Sequence, residues 1–319
     1  MHVDPNLYDY WPYEGRPKIT WPDDKKLAFW IAPNAEYYEF QPPNNPKRQP
    51  WPRGNPDITA YSQRTWGNTV GHWRLMDLLD KYQLRGSVSL SVGLVDHHPE
   101  IIEACTERGW EFFSHGIYNT RYSYGLSPSQ EKAVLLDSIK TVERATGQRI
   151  RGYLAPALTH TEQTLDLIAE HDFWYTCDLF QDDQPHPIKT RTGKLISMPY
   201  SLEVNDVIAY SVQGWSAERY ADILIRHFDQ LLEEGTQSAP VMCIPLHAYL
   251  VSQPHRLGPF ERVLSHISAH KDDVWFATGT EIAGHFREYY WDQTCTDIAE
   301  RGVITGGTGF APDLSGQNT

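Results

Sequence analysis

Short apolar segments alternate with longer amphipathic segments along most of this chain, and this alternation restricts the fold more than any other feature. Helical spacing of apolar residues is clear in 69–84 and 127–147, where Ser127, Pro128 and Gly147 are typical helix start and stop residues. Four of the strand-like segments are KLAFWIAPN (26–34), GSVSLSV (86–92), WEFFSHG (110–116) and PVMCIPLHAY (240–249). About seven or eight such strand–helix units predict an α/β fold with a parallel sheet, and they favour a barrel over an open doubly wound sheet.

The length of 319 residues fits one barrel-sized domain, which we predict for residues 1–305. Residues 1–24 are rich in proline, tyrosine and tryptophan and are predicted to wrap over the barrel as an arm. The proline-dense stretch 41–63 is too long for a simple connection, so it is predicted to be a functional loop, either a lid or an interface arm. Residues 306–319 are predicted to be a flexible tail.

The charge balance and the missing motifs exclude several function classes. The chain carries 28 Lys and Arg against 41 Asp and Glu, a formal net charge of −13 that argues against a nucleic-acid partner. No run of 18 apolar residues predicts a membrane span, and no signal peptide is recognised. No glycine-rich phosphate motif is present, so no nucleotide cofactor is expected. The four cysteines form no C-x-x-C pair, which is typical of a reducing compartment and predicts a cytoplasmic protein.

Polar residues stand where the predicted strands end, and in a parallel barrel these positions collect the functional groups. We predict that one group of them contacts a small-molecule substrate and that Glu36 and His247 are catalytic. The predicted substrate contacts are Asn34, Pro156, Asp183, Asn205 and Asp206. Simpler explanations stay open: His115 satisfied by a backbone carbonyl, Glu36 capping a loop, Asp183 in a solvated turn and Asn205 in an Asx turn.

Several of these segments, taken together, resemble one known group of proteins. The chain is similar to the polysaccharide deacetylase (NodB homology) superfamily over most of residues 20–290, and more closely to its allantoinase and cyclic-imide hydrolase branch. The resemblance implies a distorted parallel (β/α) barrel with seven or eight strands. The segments that carry it are RTWGNTVGHWRLMDLLDKYQLRGSVSLSV, HPEIIEACTERGWEFFSHG, LISMPYSLEVND and PLH.

The resemblance also implies roles for individual residues. Typical members of the superfamily hydrolyse an acetamido sugar at a divalent metal held by one Asp and two His. His115 matches the first ligand histidine, His247 matches the histidine that acts as the acid, and Glu36 falls on the first acidic motif. This chain departs from the pattern at three places. Tyr37 stands beside the single carboxylate, and Asn119 replaces the second ligand histidine. The usual R-x-P-Y motif is also replaced, by YLAP.

These departures shape the expected chemistry. His115, Asn119 and Glu36 would form a weak site for one divalent metal (zinc, cobalt or manganese), and a metal-free site stays open. In a metal-free site Glu36 would deprotonate water and His247 would protonate the leaving nitrogen. We therefore predict an amidohydrolase-type enzyme that acts on a non-peptide carbon–nitrogen bond.

The substrate and the assembly state are less constrained. This reasoning favours a small cyclic amide (ureide or imide) or a linear amide as the substrate. The alternatives are a metal-dependent sugar N-deacetylase and a degenerate member that binds a ligand without turnover. The proline-rich arm predicts a homo-oligomer, either a dimer or a tetramer.

Overall fold

One curled sheet organises the chain in the computed structural model, which describes residues 7–43 and 55–304. In this part of the chain the sheet follows the spatial order β6-β7-β5-β4-β3-β2-β1-β8, and β9 pairs with the first residues of β1. The strands are β1 (Leu27–Ala35), β2 (Ser87–Leu90), β3 (Glu111–Ser114), β4 (Gly152–Tyr153), β5 (Tyr175–Thr176), β6 (His186–Ile188), β7 (Leu195–Ser197), β8 (Val241–His247) and β9 (Val274–Phe276).

Every strand pairing in the described sheet is parallel except that of β6 with β7. The sheet curls until its two edges approach, since the backbone N–H of Val241 in β8 donates to the carbonyl of Asp183, shortly before β6 (2.8 Å). The predicted distorted parallel (β/α) barrel is confirmed. The short antiparallel strand β6 was not predicted, because His-Pro-Ile carries no strand signal by itself.

Helices cover the outside of the sheet. Ser127 and Gln130 form a capping box at the start of α5, and Gly147 ends that helix with a φ of 72°. This is the start and stop chemistry that the sequence predicts. The helices are α1 (Ile58–Trp66), α2 (His72–Lys81), α3 (Leu94–His97), α4 (Pro99–Glu107), α5 (Pro128–Thr146), α6 (Thr164–Glu170), α7 (Ala217–Glu234), α8 (Ala248–Val251), α9 (Pro254–Ser268), α10 (Gly279–Tyr289) and α11 (Trp291–Ile304).

The two faces of the sheet bury different sets of side chains. Residues 29 and 31 of β1 face outward into the large apolar layer beneath the helices. Residues 28, 30 and 32 face inward and pack with side chains of β3, β5 and β8 in the barrel interior. Successive residues of a strand point to opposite faces, so each strand sends every second side chain inward. These inward rows lead directly to the site described below.

The predicted arm and loop are only partly described. In the arm, Trp11 and Trp21 are buried, and the Trp11 indole donates to Asp297 of α11 (2.7 Å). Within the stretch predicted to be a loop, 41–63, a helix begins at Ile58, capped by Asp57. Residues 44–54 and the predicted tail 306–319 lie outside the described residues. No helix in the described ranges has the length and apolar character that crossing a bilayer requires.

Candidate active site

Three predicted residues meet at the carboxyl ends of the strands because they extend the inward rows. Glu36 continues the row of Ala28, Trp30 and Ala32 in β1. His247 ends the corresponding row of β8, and His115 follows β3 two residues after the inward-facing Phe113. The carboxylate oxygen Glu36 Oε1 lies 3.8 Å from His115 Nε2 and 3.6 Å from His247 Nε2. All three side chains are buried.

Glu36 is surrounded by donors. Its Oε2 accepts from the guanidinium Nε of Arg64 (3.1 Å), and its Oε1 accepts a short bond from the amide Nδ2 of Asn119. Burial by itself would raise the pKa of Glu36. Arg64, His247 and His115 outweigh that effect and hold the pKa far below its usual range. Glu36 is therefore a carboxylate at any ordinary pH.

Arg64 holds this carboxylate in place, and sequence reasoning did not assign it a role. Its guanidinium lies between the rings of Tyr38 (3.9 Å) and Tyr249 (4.0 Å), and it donates to the Tyr249 hydroxyl (2.8 Å). One turn later, the side chain of Asn68 donates to the backbone carbonyl of Glu36 (3.1 Å). Arg64 lies in the segment RTWGN, which carried the resemblance but does not by itself indicate a partner for the arginine. The missing arginine of the R-x-P-Y motif is thus matched in charge by an arginine from another element.

Glycine allows this helical segment to approach the end of β8. A π-helical turn (Gly67–Gly71) joins α1 to α2. A Cβ at Gly71 would collide with the carbonyl of Ala248, and one at Gly67 would press on Tyr249. The absence of side chains at both positions brings α1 close enough for Arg64 to reach Glu36.

His247 is tied to Asp206. The fully buried Asp206 accepts from both the backbone N–H (2.8 Å) and the Nδ1 (2.7 Å) of His247. Burial by itself would lower the pKa of His247, but Asp206 and Glu36 raise it to about 9. At neutral pH His247 is an imidazolium whose Nε2–H faces Glu36. Asp206, predicted to contact the substrate, instead orients this imidazolium.

His115 has the opposite protonation state. Its Nδ1 lies 3.0 Å from the carbonyl of Leu154, and because a carbonyl only accepts, Nδ1 must carry the proton. Burial lowers the pKa of His115, against the raising effect of Glu36. The ring is therefore neutral, and Nε2 presents a lone pair to the hollow beside Glu36.

The three predicted metal ligands lie together, but their donor atoms do not fit a hydrolytic metal centre. His115 fits, since its second nitrogen is held by a carbonyl as in many metal-binding histidines. Asn119 must turn its NH₂ toward the ionised Glu36, and both oxygens of Glu36 accept from other side chains. The imidazolium of His247 adds a positive charge at the same place. A zinc hydrolase normally supplies three protein ligands, and this set supplies one free donor.

The other predicted substrate contacts divide into near and distant residues. Asn34 is buried below Glu36, where its amide donates to the carbonyl of Leu246 (3.1 Å) and to Tyr200. Pro156 packs against Gly116, next to His115. Asn205 caps its own turn by accepting from the N–H of Val207 (2.9 Å). Asp183 is not part of the cluster, because its carbonyl binds the first residue of β8, at the opposite end of that strand from His247.

A second histidine–aspartate pair lies at the same end of the sheet. His160 Nε2 is 2.7 Å from Asp178 Oδ2, and Asp178 also accepts from the N–H of Ala155 (2.8 Å). Burial by itself would lower the pKa of His160, but Asp178 raises it above its usual value. Asp178 is buried while His160 is partly exposed.

Comparison with known proteins supports the resemblance. The family model described as "Polysaccharide deacetylase" matches residues 65–176, which include α2, His115 and Asn119. A "Putative polysaccharide deacetylase" of Schizosaccharomyces pombe is 26% identical over 310 residues, covering 84% of this chain and 93% of the relative. A "Peptidoglycan deacetylase" of Helicobacter pylori is 26% identical and covers 70% of this chain and 86% of the relative.

Two solved structures share the whole fold. A "probable Polysaccharide deacetylase" of Pseudomonas aeruginosa PAO1 is 28% identical with a TM-score of 0.76, and it covers 87% of this chain and 96% of that chain. The PuuE allantoinase structure is 25% identical to this chain, with a TM-score of 0.75. The alignment covers 87% of this chain and 95% of the allantoinase chain. The resemblance to the NodB-type superfamily is confirmed. Homologues in the polysaccharide deacetylase family are amidohydrolases of non-peptide carbon–nitrogen bonds, which supports the predicted class of enzyme.

Proposed function

We propose that this chain hydrolyses a carbon–nitrogen bond of a small cyclic amide, a ureide or an imide, by acid–base catalysis with water. The observation that carries the proposal is the pairing of an imidazolium with a carboxylate and a neutral imidazole in one buried hollow. His247 Nε2 and His115 Nε2 lie 3.6 and 3.8 Å from the same oxygen of Glu36. A proton donor and a proton acceptor thus face one small space.

The acceptor side suits an attacking water. Glu36 Oε1 and His115 Nε2 are both acceptors, so a water between them would donate both protons and turn its lone pairs to a carbonyl carbon. Because Arg64, His247 and His115 hold the pKa of Glu36 far below its usual range, Glu36 is a poor proton acceptor, whereas His115 Nε2 has a free lone pair. We assign proton removal to His115 Nε2 and orientation of the water to Glu36. This refines the prediction that Glu36 is the base.

The donor side completes the reaction. As the water oxygen bonds to the carbonyl carbon, one O–H bond breaks and its proton passes to His115. When the tetrahedral intermediate collapses, the C–N bond breaks and His247 Nε2 gives its proton to the leaving nitrogen. The product is a single ring-opened molecule that carries a carboxylic acid group and a free amine or amide nitrogen. Asp206 stabilises the imidazolium before this transfer.

A ring substrate agrees with what the site supplies. The described donor set offers one free metal ligand, and a ring imide or ureide carbonyl needs less electrophilic help than an acetamide does. The likeness to an allantoinase over 87% of the chain supports the same class. Turnover of hydantoins, dihydropyrimidines and cyclic imides is therefore expected to continue in the presence of EDTA. His247→Ala should lower kcat/KM by at least about 10²-fold while circular dichroism is unchanged.

A metal-dependent sugar N-deacetylase is the second candidate, and the similarity to three proteins described as polysaccharide or peptidoglycan deacetylases favours it. Acetylated chitin oligosaccharides would then be deacetylated only after addition of zinc, cobalt or manganese. That result, together with no turnover of ring amides, would replace the proposal. If these compounds raise the melting temperature of the chain but none of them is turned over, the chain would be a binding protein. The homo-oligomer stays a prediction, which light scattering would test.

A further inference from the structure

A cluster of three potential metal ligands lies on the outer helices, away from the candidate active site. Asp229 of α7 and His266 and His270 at the end of α9 each offer one ligand atom, and these atoms all lie within 4.8 Å of one another. Among the described residues, this is the group of three His, Cys, Asp or Glu side chains whose ligand atoms lie this close together. α9 leads into β9, so the cluster lies at the amino ends of the strands, and the candidate active site lies at their carboxyl ends.

The packing of α7 against α9 fixes the orientation of the two imidazoles. His266 lies in the last turn of α9 and His270 lies two residues after its end, with the ring centroids 5.3 Å apart. Both rings pack on Phe228, which is fully buried, at 5.7 and 5.4 Å. His266 Nε2 also lies 2.6 Å from Asp229 Oδ1. Because both rings rest on the core, few side-chain rotations are needed to bring the three donors around one ion.

The chemistry of the donors selects a class of ion. Two imidazoles and one carboxylate bind zinc, cobalt, nickel and copper(II) in preference to magnesium or calcium. The last carbonyls of α9 point toward this end of the helix and favour a positive charge there. The side chains of Asp229 and His266 are 51% and 33% exposed, so an ion can enter from solvent and keep a water ligand.

We propose that Asp229, His266 and His270 form a binding site for one divalent transition-metal ion that fastens α7 to α9. The alternative is an ordinary surface ion pair between Asp229 and His266, with His270 as a neighbour. The metal site requires His270 as a ligand, whereas the ion pair between Asp229 and His266 would form without it. The proposal is independent of the hydrolytic function, since none of the three residues contacts the candidate active site.

The test is calorimetric titration of the EDTA-stripped full chain with zinc chloride, repeated with cobalt to record the visible spectrum of the bound ion. We expect one zinc per chain and a melting temperature higher by about 3–4 °C at a hundredfold excess over Kd. His266→Gln and His270→Gln should each weaken zinc binding at least tenfold and remove the thermal shift. His255→Gln, an exposed histidine near the start of the same helix, is the matched control and should bind as the parent does.

His115→Gln separates this site from the barrel interior, and it should leave zinc binding unchanged. Zinc binding that is lost in His115→Gln and kept in His270→Gln would overturn the proposal and place the ion in the barrel. Unchanged zinc affinity in both the His266 and His270 variants would overturn the proposal as well. So would the absence of zinc binding by the parent chain at about 100 µM zinc, which is about the weakest affinity that would matter for such a site.

Discussion

Asp206→Asn is expected to move the alkaline limit of catalysis. Asp206 accepts two hydrogen bonds from His247 and is the largest favourable influence that keeps this histidine protonated. Asparagine has nearly the same shape but no charge, and it retains only one acceptor oxygen. The proton on His247 then depends on Glu36 alone, while burial continues to oppose it. The variant should therefore lose its acid at a lower pH than the parent chain.

The magnitude follows from the two pKa values. With a pKa of about 9, His247 is about 90% protonated at pH 8. If the variant returns to the ordinary histidine value near 6.5, about 3% of the molecules carry the proton at pH 8. The expected loss of kcat/KM is therefore about thirtyfold at pH 8, and it becomes small at pH 6. The alkaline limb of the profile should shift from about pH 9 to about pH 6.5.

The assay is a kcat/KM profile on a ring substrate from pH 5 to 10. Asp178→Asn is the matched control, because Asp178 is also a buried carboxylate that binds one backbone N–H and one imidazole. Both variants should lose about 1–3 kcal/mol in the free energy of unfolding, since each buries an amide where two acceptors were needed. Only Asp206→Asn should move the alkaline limb. An unchanged limb in Asp206→Asn would refute the role of His247 as the acid.

Three other changes have defined outcomes. Because folding raises the pKa of His247, its contribution to stability is complete below about pH 6.5 and is lost as the pH rises through about 9. In urea unfolding across this range, His247→Gln should therefore remove up to about 3 kcal/mol of the parent's pH dependence, and identical slopes would contradict the raised pKa. Arg64→Met should lower the free energy of unfolding by about 3–5 kcal/mol and bring an acid limb from Glu36 into the rate profile, with Arg64→Lys intermediate in both. An Arg64→Met profile without a new acid limb would show that Arg64 does not control that carboxylate. Gly71→Ala should cost about 1–3 kcal/mol by colliding with the backbone at the start of α8, while Gly258→Ala, which meets open space, should cost nothing in thermal melts.

The barrel could be predicted well from the sequence because the evidence for each helix and strand lies within its own segment. Alternating periodicity and helix caps such as Ser127 determine each element without knowledge of its neighbours. The meeting of Glu36, His115 and His247 was also predictable, since parallel strands bring their carboxyl ends to one edge. Weak or very short segments were harder: β6 has three residues and gave no periodic signal.

Roles that depend on contacts between distant segments were not predictable. Nothing near Arg64 in the sequence indicates that it stacks between two tyrosines and binds a carboxylate 28 residues earlier. Asp206 and Asp183 looked alike as acidic residues after a strand, yet one binds His247 and the other lies at the far end of β8. A sequence gives the type of each side chain, whereas the pairing of charges is decided by the tertiary packing.

The register of β1 against β8 places Asn34 opposite His247, with Glu36 two residues further along. The spacing between proton donor and carboxylate is consequently governed by main-chain hydrogen bonds between adjacent strands, about 4.8 Å apart. Among the described residues, the segments that follow β4 and β7 make one such main-chain bond each to a neighbouring strand, from Leu154 and Met198, and beyond these residues their backbone is bonded within its own turns. Mutational drift in these segments can change which molecules enter, while the geometry that moves protons stays as the ladder sets it.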